Sequence, residues 1–288
     1  MCDARNDNSV QRLRNNKPRP AKPLAVMLPL STYTNITHND QTNVGYLAMV
    51  NPVSAQQLLD PMRPIVLIQK DEVVELSAEI APGLNDVGVF LPYSPLHTLI
   101  LHDFDGPLVA TSANISGEPV MTNNQQVESR LDKVADAFLH HNRPIERPAD
   151  DAVFRVIANK PRPLRLGRGI APLEMTLPVE INTPSLAVGG QMKNSIALAW
   201  GDRIVISPHI GDLETPRSLE VFQQVCRDLQ QLYQIKAKQL ICDAHPGYAS
   251  TRWVKQDGRP HHEVFHHQAH ASAIAGEHAH ESKWLVFT

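Results

Sequence analysis

The stretch PLVATSANISGEPV, residues 107–120, decides the fold of the first half of the chain. It begins as a short apolar strand at residues 108–111 and continues into a run of hydroxyl, amide and glycine residues. Ser112 and Asn114 can donate hydrogen bonds from a short, rigid turn at the end of that strand. Such a strand end is a common place for a nucleotide or an anion to bind. A plain turn explains any one of these residues, but it explains the whole run less well.

The elements before and after this strand predict an α/β domain. Apolar strands are expected at residues 24–28 and 64–70, and a strand gives way to a helix near Pro95. Residues 123–141 carry apolar side chains at helical spacing, which predicts a further helix. Strands that alternate with helices are typical of α/β folds.

The two ends of this region add a helix and a hairpin. Asn6 or Asn8 can cap a helix that ends at Pro18. Residues 150–169 are typical of a β-hairpin that turns near Asn159 and closes the α/β domain.

A second candidate site in this half is the basic segment KPRPAKPL, residues 17–24. It places Lys17, Arg19 and Lys22 within six residues, and its prolines keep these cations out of a helix. Arginine offers a planar fork to phosphate or carboxylate oxygens, and lysine offers a point charge. A solvated basic turn explains the segment equally well when it is taken alone.

A proline-rich stretch at residues 161–184 predicts the boundary of a second domain, because it has little helical period. We expect one domain at residues 1–176, a linker at 177–185 and a second domain at 186–288. At 288 residues the chain is long enough for two domains of ordinary size.

The second domain is expected to mix strands and helices as well. Its first three strands are predicted at residues 186–188, 195–200 and 203–207, with Gly201 and Asp202 as a hairpin turn between the last two. The later elements are an amphipathic helix at residues 218–234 and a strand at 238–243 that ends in Asp243. A strand followed by a histidine-rich helix is expected at residues 262–278, and a final strand at 283–288.

The turn GGQMKN, residues 189–194, is a candidate phosphate contact. Gly189 and Gly190 permit close approach of the backbone to a ligand, and Lys193 can neutralise its charge. An ordinary hairpin turn is at least as good an interpretation of the two glycines.

The motif HHQAHASA, residues 266–273, is a candidate metal site. In a helix, His266 and His270 lie on one face about 6 Å apart. Two neutral imidazoles at this spacing can hold one metal ion together. At least one further ligand, usually a carboxylate, must come from elsewhere. For the motif alone, a solvated histidine-rich helix is the better interpretation.

The composition limits the class of protein. Apolar residues make up 42% and charged residues 20%, as in globular domains, and the net charge of −3 provides no overall field that would attract nucleic acid. No apolar run is long enough to span a membrane, and the N-terminus lacks the apolar region of a secretory signal. The three scattered cysteines argue against disulfides and a zinc cluster. We therefore expect a cytoplasmic protein with reduced thiols and no membrane partner.

KPRPAKPL followed by TSANISGEP resembles the YrdC-like domains, which bind ATP and form acyl adenylates. Their K-x-R and S-x-N elements match Lys17 with Arg19 and Ser112 with Asn114, so the resemblance implies that these four residues line a nucleotide and carbamoyl site. Lys22 is expected to join them.

The stretch HNRPI…RPADDAV, residues 141–153, is similar to the hydrogenase-maturation carbamoyltransferases of the HypF family. It places Arg143 and Asp151 in the site, the first of them in a catalytic role with Lys17 and Arg19. Ala152 stands where that family has serine. Only Arg165 and Arg168 remain of a later arginine-rich stretch, and they are expected to contact the nucleotide.

GGQMKN, DAHPGY and HHQAHASA, in this order, resemble the transferase domain of the same family, which has an actin-like ATPase (ribonuclease H-like) fold. The resemblance implies a divalent metal, Fe or Zn, on His266 and His270, with ATP and Mg²⁺ as further cofactors. The fold class implied is a truncated YrdC-like α/β domain followed by the first lobe of an actin-like fold. The chain thus resembles a piece of the family protein, without its acylphosphatase domain, zinc modules and C-terminal lobe.

The activity implied by the resemblance is ATP-dependent carbamoyl transfer. Carbamoyl phosphate and ATP give carbamoyl adenylate, and the carbamoyl group passes to the C-terminal cysteine of the partner protein HypE. Two alternatives remain open: a threonylcarbamoyl-AMP synthase-like enzyme, and a nucleotide-binding or scaffold remnant without activity.

Overall fold

The computed structural model of the chain describes residues 1–17, 22–29, 31, 50–73 and 75–278. The chain divides into two units: Met1–Ser116 with Val120–Ile170, and Gly117–Pro119 with Ala171–Thr288. Arg19 and the strand expected at residues 283–288 lie outside the described residues.

In the described part of the first unit, a mixed sheet has seven strands. They are β1 (Cys2–Asp3), β2 (Ala25–Met27), β3 (Ile65–Gln69), β4 (Asp86–Phe90), β5 (Leu108–Ala110), β6 (Val153–Ile157) and β7 (Lys160–Arg165). Their order across the sheet is β1-β5-β2-β4-β3-β6-β7. The pairs β2–β4 and β3–β6 are parallel and the others antiparallel. The predicted strands and the closing hairpin are confirmed.

Four helices of the first unit begin at capped positions. They are α1 (Asp7–Asn16), α2 (Pro52–Leu59), α3 (Pro95–Phe104) and α4 (Asn124–Leu131). Asn6 caps α1, since its Oδ1 accepts a hydrogen bond from the backbone N–H of Ser9 at 3.0 Å. Asn51, Ser94 and Asn123 cap the other three in the same way.

Helix α4 is shorter than the sequence pattern predicts. It ends at Leu131, and residues 132–150 contain no further helix or strand. Along the expected apolar face only Leu131 is buried, whereas Val127, Val134 and Phe138 are half-buried. A helix with such partial packing along its face gains little stability, which explains the early end.

The core of the first unit is aliphatic. Val26, Val66, Val89 and Val109, from four adjacent strands, are fully buried in one cluster. β5 is therefore fixed between β1 and β2 in the sheet, and the turn that follows it at residues 111–114 has a rigid base.

The second unit contains a four-stranded sheet within the described residues. Its strands are β8 (Leu173–Ala187), β9 (Ala197–Ile206), β10 (Gln239–Asp243) and β11 (His261–Val264), in the order β11-β10-β8-β9. β10 is parallel to both β8 and β11, and β9 is antiparallel to β8. The carboxyl ends of β8, β10 and β11 therefore meet at one edge of the sheet.

Two expectations for this sheet are corrected. Residues 177–185, expected to be a linker, are part of β8, and Gly201 and Asp202, expected to be a hairpin turn, lie inside β9. The β8–β9 pairing shifts register on both sides of Ile181, which lies opposite Gly201 at φ +53°. The glycine thus serves a bulge in a long strand pair and not a turn.

Within the described residues, the second unit also has three helices: α5 (Pro216–Tyr233), α6 (Ala249–Asp257) and α7 (His266–His278). Helix α5 buries Phe222, Cys226 and Leu229 in a cluster that includes Leu186 and Leu240 of the sheet. The predicted amphipathic helix and the histidine-rich helix are both confirmed. Among the described residues, no helix is long and apolar enough to cross a membrane.

Candidate functional sites

A hydrogen-bonded cluster joins the end of α1 to the turn after β5. The Nζ atom of Lys17 donates to Thr111 Oγ1 at 3.2 Å, to Asn114 Oδ1 at 2.8 Å and to the backbone oxygen of Ser112. Ser112 Oγ also donates to Asn114 Oδ1, at 2.8 Å. Lys17 is 4% exposed and Asn114 8% exposed. Three oxygens match the three N–H groups of the ammonium, which is what a buried lysine requires.

An open cavity of about 1260 Å³ adjoins this cluster. Lys17, Thr111 and Ser112 line it on one side, and His97 and Arg143 also contribute. Its size is sufficient for a ligand as large as a nucleotide. The cavity therefore combines space with a fixed cation and a row of polar groups.

The other predicted cations of this half are placed differently. Arg143 is exposed at the cavity in a segment without helix or strand, and Lys22 is exposed after the proline-rich segment. The backbone oxygen of Lys22 accepts a hydrogen bond from Arg14 at 3.1 Å.

Arg168 and Asp151 form a network within the protein. Arg168 Nε and Asp151 Oδ1 are 3.0 Å apart, and the other guanidinium nitrogens of Arg168 donate to the backbone oxygens of Met62 and Arg63. The guanidinium carbon lies 3.5 Å from the ring centroid of Tyr93. These contacts hold the β6–β7 hairpin and the start of α3 against residues 62–63.

Arg165 and Ala152 belong to the same framework. Arg165 Nε donates to the backbone oxygen of Asp151 at 2.9 Å. Ala152 is fully buried, and its backbone oxygen accepts from Ile65 at 2.9 Å. A serine in this position would therefore be a buried residue.

His97 connects this network to the cavity. Its ring packs edge-on against Tyr93 with centroids 4.6 Å apart, and its Nδ1 is buried without a hydrogen-bond partner among the described residues. Burial lowers the pKa of His97, an effect that Asp151 opposes and Arg168 reinforces. Burial also raises the pKa of Tyr93. Burial thus favours the uncharged form of His97 at the cavity wall.

In the second unit, close backbone packing and the buried side chain of Asn194 hold the glycine turn, residues 189–194, in place. Gly189 has φ +67°, and a Cβ there would lie 2.4 Å from the backbone oxygen of Ser195. Asn194 is 1% exposed and donates through Nδ2 to the backbone oxygens of Val188 and Gly190. Only glycine fits at position 189 without a shift of the backbone.

Lys193 projects outward from this turn. Its side chain is exposed, and its backbone N–H donates to Asp212 Oδ1 at 2.8 Å. Gly190 faces the histidine helix, since a Cβ there would lie 3.7 Å from the ring of His266. The glycine turn and the histidine motif therefore lie side by side.

His266 and His270 converge as the helical spacing predicts. Their Nε2 atoms are 3.2 Å apart, and His266 Nδ1 lies 2.8 Å from Asp243 Oδ2. Zinc–imidazole bonds are about 2.0–2.1 Å long, so one ion can reach both Nε2 atoms. A carboxylate on the other ring nitrogen of a ligating histidine is the usual outer contact of a metal site. The two histidines fit a divalent metal as one part of its ligand set.

The described residues do not complete that ligand set. Among them, no three histidine, cysteine, aspartate or glutamate side chains are grouped so that they could hold a metal ion. The carboxylate of Asp243 lies behind His266, on the Nδ1 side, and not beside the Nε2 pair.

Sequence analysis missed three of the residues that form these sites. Thr111 and Asp243 both stand at the end of a strand, within motifs that were singled out, and strand ends at one sheet edge could have indicated them. Asn194 belongs to the glycine turn, where only its burial shows its role.

Two family models match the chain. The Sua5/YciO/YrdC model, described as "Telomere recombination", matches residues 1–167, and the model of the HypF Kae1-like domain matches residues 180–277. The first match covers more than half of the chain.

The curated relatives include carbamoyltransferases HypF. The chain is 39% identical to that of Synechocystis sp. over 277 residues and 37% identical to that of Rhodobacter capsulatus over 282 residues. Each match covers 96% of this chain but only 35% and 36% of the relative. The chain thus spans about a third of the length of these relatives. The threonylcarbamoyl-AMP synthase of Bacillus subtilis is 28% identical over 134 residues, which is 46% of this chain.

Solved structures of HypF proteins are also similar to this chain. The crystal structure of full-length HypF in its phosphate- and nucleotide-bound form superposes with a TM-score of 0.88 at 34% identity. The crystal structure of T. kodakarensis HypF superposes with a TM-score of 0.86 at 32% identity. The two comparisons cover 97% and 96% of this chain, and 36% of the other chain in each case.

Proposed function

Because this chain belongs to the HypF family of carbamoyltransferases, we propose that it acts in [NiFe]-hydrogenase maturation. The reaction proposed is the formation of carbamoyl adenylate from carbamoyl phosphate and ATP, with transfer of the carbamoyl group to the C-terminal cysteine of HypE. The observation that carries this proposal is the convergence of Lys17, Ser112 and Asn114 at the cavity of the first unit. A structural relative with bound phosphate and nucleotide supports it.

The first step is adenylation. Carbamate, released from carbamoyl phosphate, attacks the α-phosphorus of ATP through a carboxylate oxygen. The bond from that phosphorus to the bridging oxygen breaks, and pyrophosphate leaves with the electron pair. Negative charge grows on the phosphate oxygens, and a fixed ammonium at Lys17 stabilises it without having to reorganise. Mg²⁺ bound to ATP would offset the charge of the departing pyrophosphate.

Groups around the cavity have supporting roles in this step. Ser112 lines the cavity beside Lys17 and can hydrogen-bond to the phosphate or carbamoyl oxygens. Arg143, exposed at the same cavity, can bind phosphate through its guanidinium fork. Arg19 is assigned here from the K-x-R element alone. Asp151, Arg165 and Arg168 form the supporting framework of this wall.

The second step is acyl transfer. The thiolate of the acceptor cysteine attacks the carbamoyl carbon, and AMP leaves with the electrons of the bond that breaks. When bound, a divalent metal on His266 and His270 supplies a Lewis acid that polarises the carbamoyl group. Gly189 and Gly190 allow a phosphate to approach the backbone next to these histidines, and Lys193 can neutralise its charge.

Pyrophosphate release tests this proposal. The purified chain is incubated with ATP and ammonium bicarbonate, which holds carbamate at equilibrium, and in parallel with ATP and carbamoyl phosphate. A third mixture contains ATP, bicarbonate and threonine. Release with carbamate that is lost in Lys17→Met supports carbamoyl adenylation.

The other outcomes identify the alternatives. Release only with threonine favours the threonylcarbamoyl-AMP synthase activity of the B. subtilis relative. Release in none of the mixtures contradicts adenylation by this chain and favours a nucleotide-binding remnant.

A further inference from the structure

Asp243 is held in one position by three elements. It ends β10, and the register of the parallel pair places it opposite Val264, the last residue of β11 before α7. Its Oδ1 accepts a hydrogen bond from the backbone N–H of His245 at 2.9 Å, and Thr251 Oγ1 of α6 donates to its backbone oxygen at 2.8 Å. Its side chain is 8% exposed, whereas that of His266 is 61% exposed.

The remaining oxygen of this carboxylate faces one nitrogen of His266. Asp243 Oδ2 and His266 Nδ1 are 2.8 Å apart. A carboxylate only accepts hydrogen bonds, so the contact requires a proton on Nδ1. In the neutral ring, Nε2 then carries the lone pair, which is the form that can bind a metal through Nε2.

The contact between the two histidines then has one direction. The Nε2 atoms of His266 and His270 are 3.2 Å apart. Since Nε2 of His266 is the acceptor, the proton between them belongs to Nε2 of His270. The two rings are therefore not equivalent, although the motif places them symmetrically on one helix face.

We propose that Asp243 is a positioning residue that presets His266 as a metal ligand and leaves His270 as the ligand that must change. On metal binding, His270 loses its proton from Nε2 to solvent and gains one on Nδ1 from solvent, so the number of bound protons is unchanged. This inference rests on the proposed metal role of His266 and His270. It adds Asp243 as the residue that fixes the proton of His266 on Nδ1 and leaves Nε2 free for the metal.

Nitrogen-resolved NMR tests the inference without any metal. In the chain labelled with ¹⁵N-histidine, long-range ¹H–¹⁵N spectra distinguish Nδ1–H from Nε2–H rings, and His266→Gln and His270→Gln assign the two signals. The expected result is Nδ1–H for His266 and Nε2–H for His270. Addition of Zn²⁺ is expected to convert His270 alone.

Zinc affinity supplies the second readout. Asp243→Asn is expected to weaken Zn²⁺ binding about 10–100-fold, as loss of such outer contacts typically does, and to abolish the single Nδ1–H form of His266. Glu277→Gln removes one exposed carboxylate from the same helix, two turns away from His270, and is expected to bind Zn²⁺ like the unchanged chain.

The results separate this inference from the proposed function. An Nε2–H form of His266 in the unchanged chain overturns the inference, and so does unchanged Zn²⁺ affinity in a folded Asp243→Asn variant. If the unchanged chain binds no Zn²⁺, the proposed metal role of the two histidines fails. The spectra of the metal-free chain then still show whether Asp243 fixes the proton of His266 on Nδ1. The same spectra answer that question if Asp243→Asn does not fold.

Discussion

Lys17 and Asn114 lie 97 positions apart in the sequence and meet at 2.8 Å, Nζ to Oδ1. The contact joins the C-terminal end of α1 to the turn that follows β5, and it places a buried cation at the wall of an open cavity of about 1260 Å³ in the first unit. In the second unit, the corresponding feature is the sheet edge where Gly190, Asp243 and His266 meet. In each half of the chain, a candidate site thus includes the end of a strand, β5 in the first unit and β10 in the second.

Gly189→Ala is expected to destabilise the second unit by about 1–3 kcal/mol, because alanine at positive φ is strained and its Cβ would contact the backbone oxygen of Ser195 at 2.4 Å. Gly190→Ala is the matched control, with nothing nearer than 3.7 Å, and should change stability by less than about 0.5 kcal/mol. Urea unfolding followed by tryptophan fluorescence measures this selectively, since all three tryptophans lie in the second unit. Equal losses in both variants would contradict the close packing under Gly189.

Arg168→Lys is expected to cost the first unit about 1–3 kcal/mol. Lysine cannot keep the forked contacts to Asp151, Met62 and Arg63 together with the stacking on Tyr93. Hydrogen exchange of the β6 amides reports the loss. Arg162→Lys, an exposed position of β7, is the control and should leave exchange unchanged. Exchange in Arg168→Lys that matches the control would show that the network is not structural.

His97 is expected to make the first unit less stable in mild acid. Its pKa is lowered by burial in the folded chain and is about 6.5 in the unfolded chain. Above pH ~6.5 both states are neutral at this residue, so it contributes nothing there. As the pH falls below that value, the unfolded chain takes up a proton that the folded chain resists, and stability decreases.

Melting temperatures between pH 8 and pH 5 measure this effect as a difference between variants. His97→Gln should flatten the decrease in Tm toward acid. His102→Gln, at an exposed position of the same helix, should follow the unchanged chain. The prediction fails if the two variants have the same pH dependence.

The strands and helices could be predicted where local pattern and packing agree. Helix α5 begins and ends within two residues of its prediction, because Phe222 and Leu229 of its predicted apolar face are buried. The match is not complete, since Cys226 is buried as well and Leu232 of that face is 63% exposed. Helix α4 and Gly201 show the opposite case. The helix is only partly packed beyond Leu131, and a turn signal at Gly201 is overridden by the pairing of the 15-residue β8 with the 10-residue β9.

In the candidate sites, too, contacts within one local element could be predicted, and contacts between distant elements could not. The helical spacing of His266 and His270 predicts that they converge, because both lie on one local element. Their link to Asp243 depends on the register of β10 against β11, which no local pattern specifies. Similarly, Arg168 was expected at the nucleotide, and only the structure shows its guanidinium on the protein's own carbonyl oxygens.

The most direct measurement is the affinity of the chain for ATP, titrated calorimetrically in the presence of Mg²⁺. Lys17→Met is expected to weaken binding by about 10–100-fold, because it removes the fixed positive charge beside the bound phosphates, and Ser112→Ala should weaken it less. Lys160→Met, an exposed position of β7, is the matched control and should bind like the unchanged chain. Circular dichroism confirms that each variant is folded. Equal ATP affinity in folded Lys17→Met and Lys160→Met would contradict the assignment of the nucleotide to this cavity.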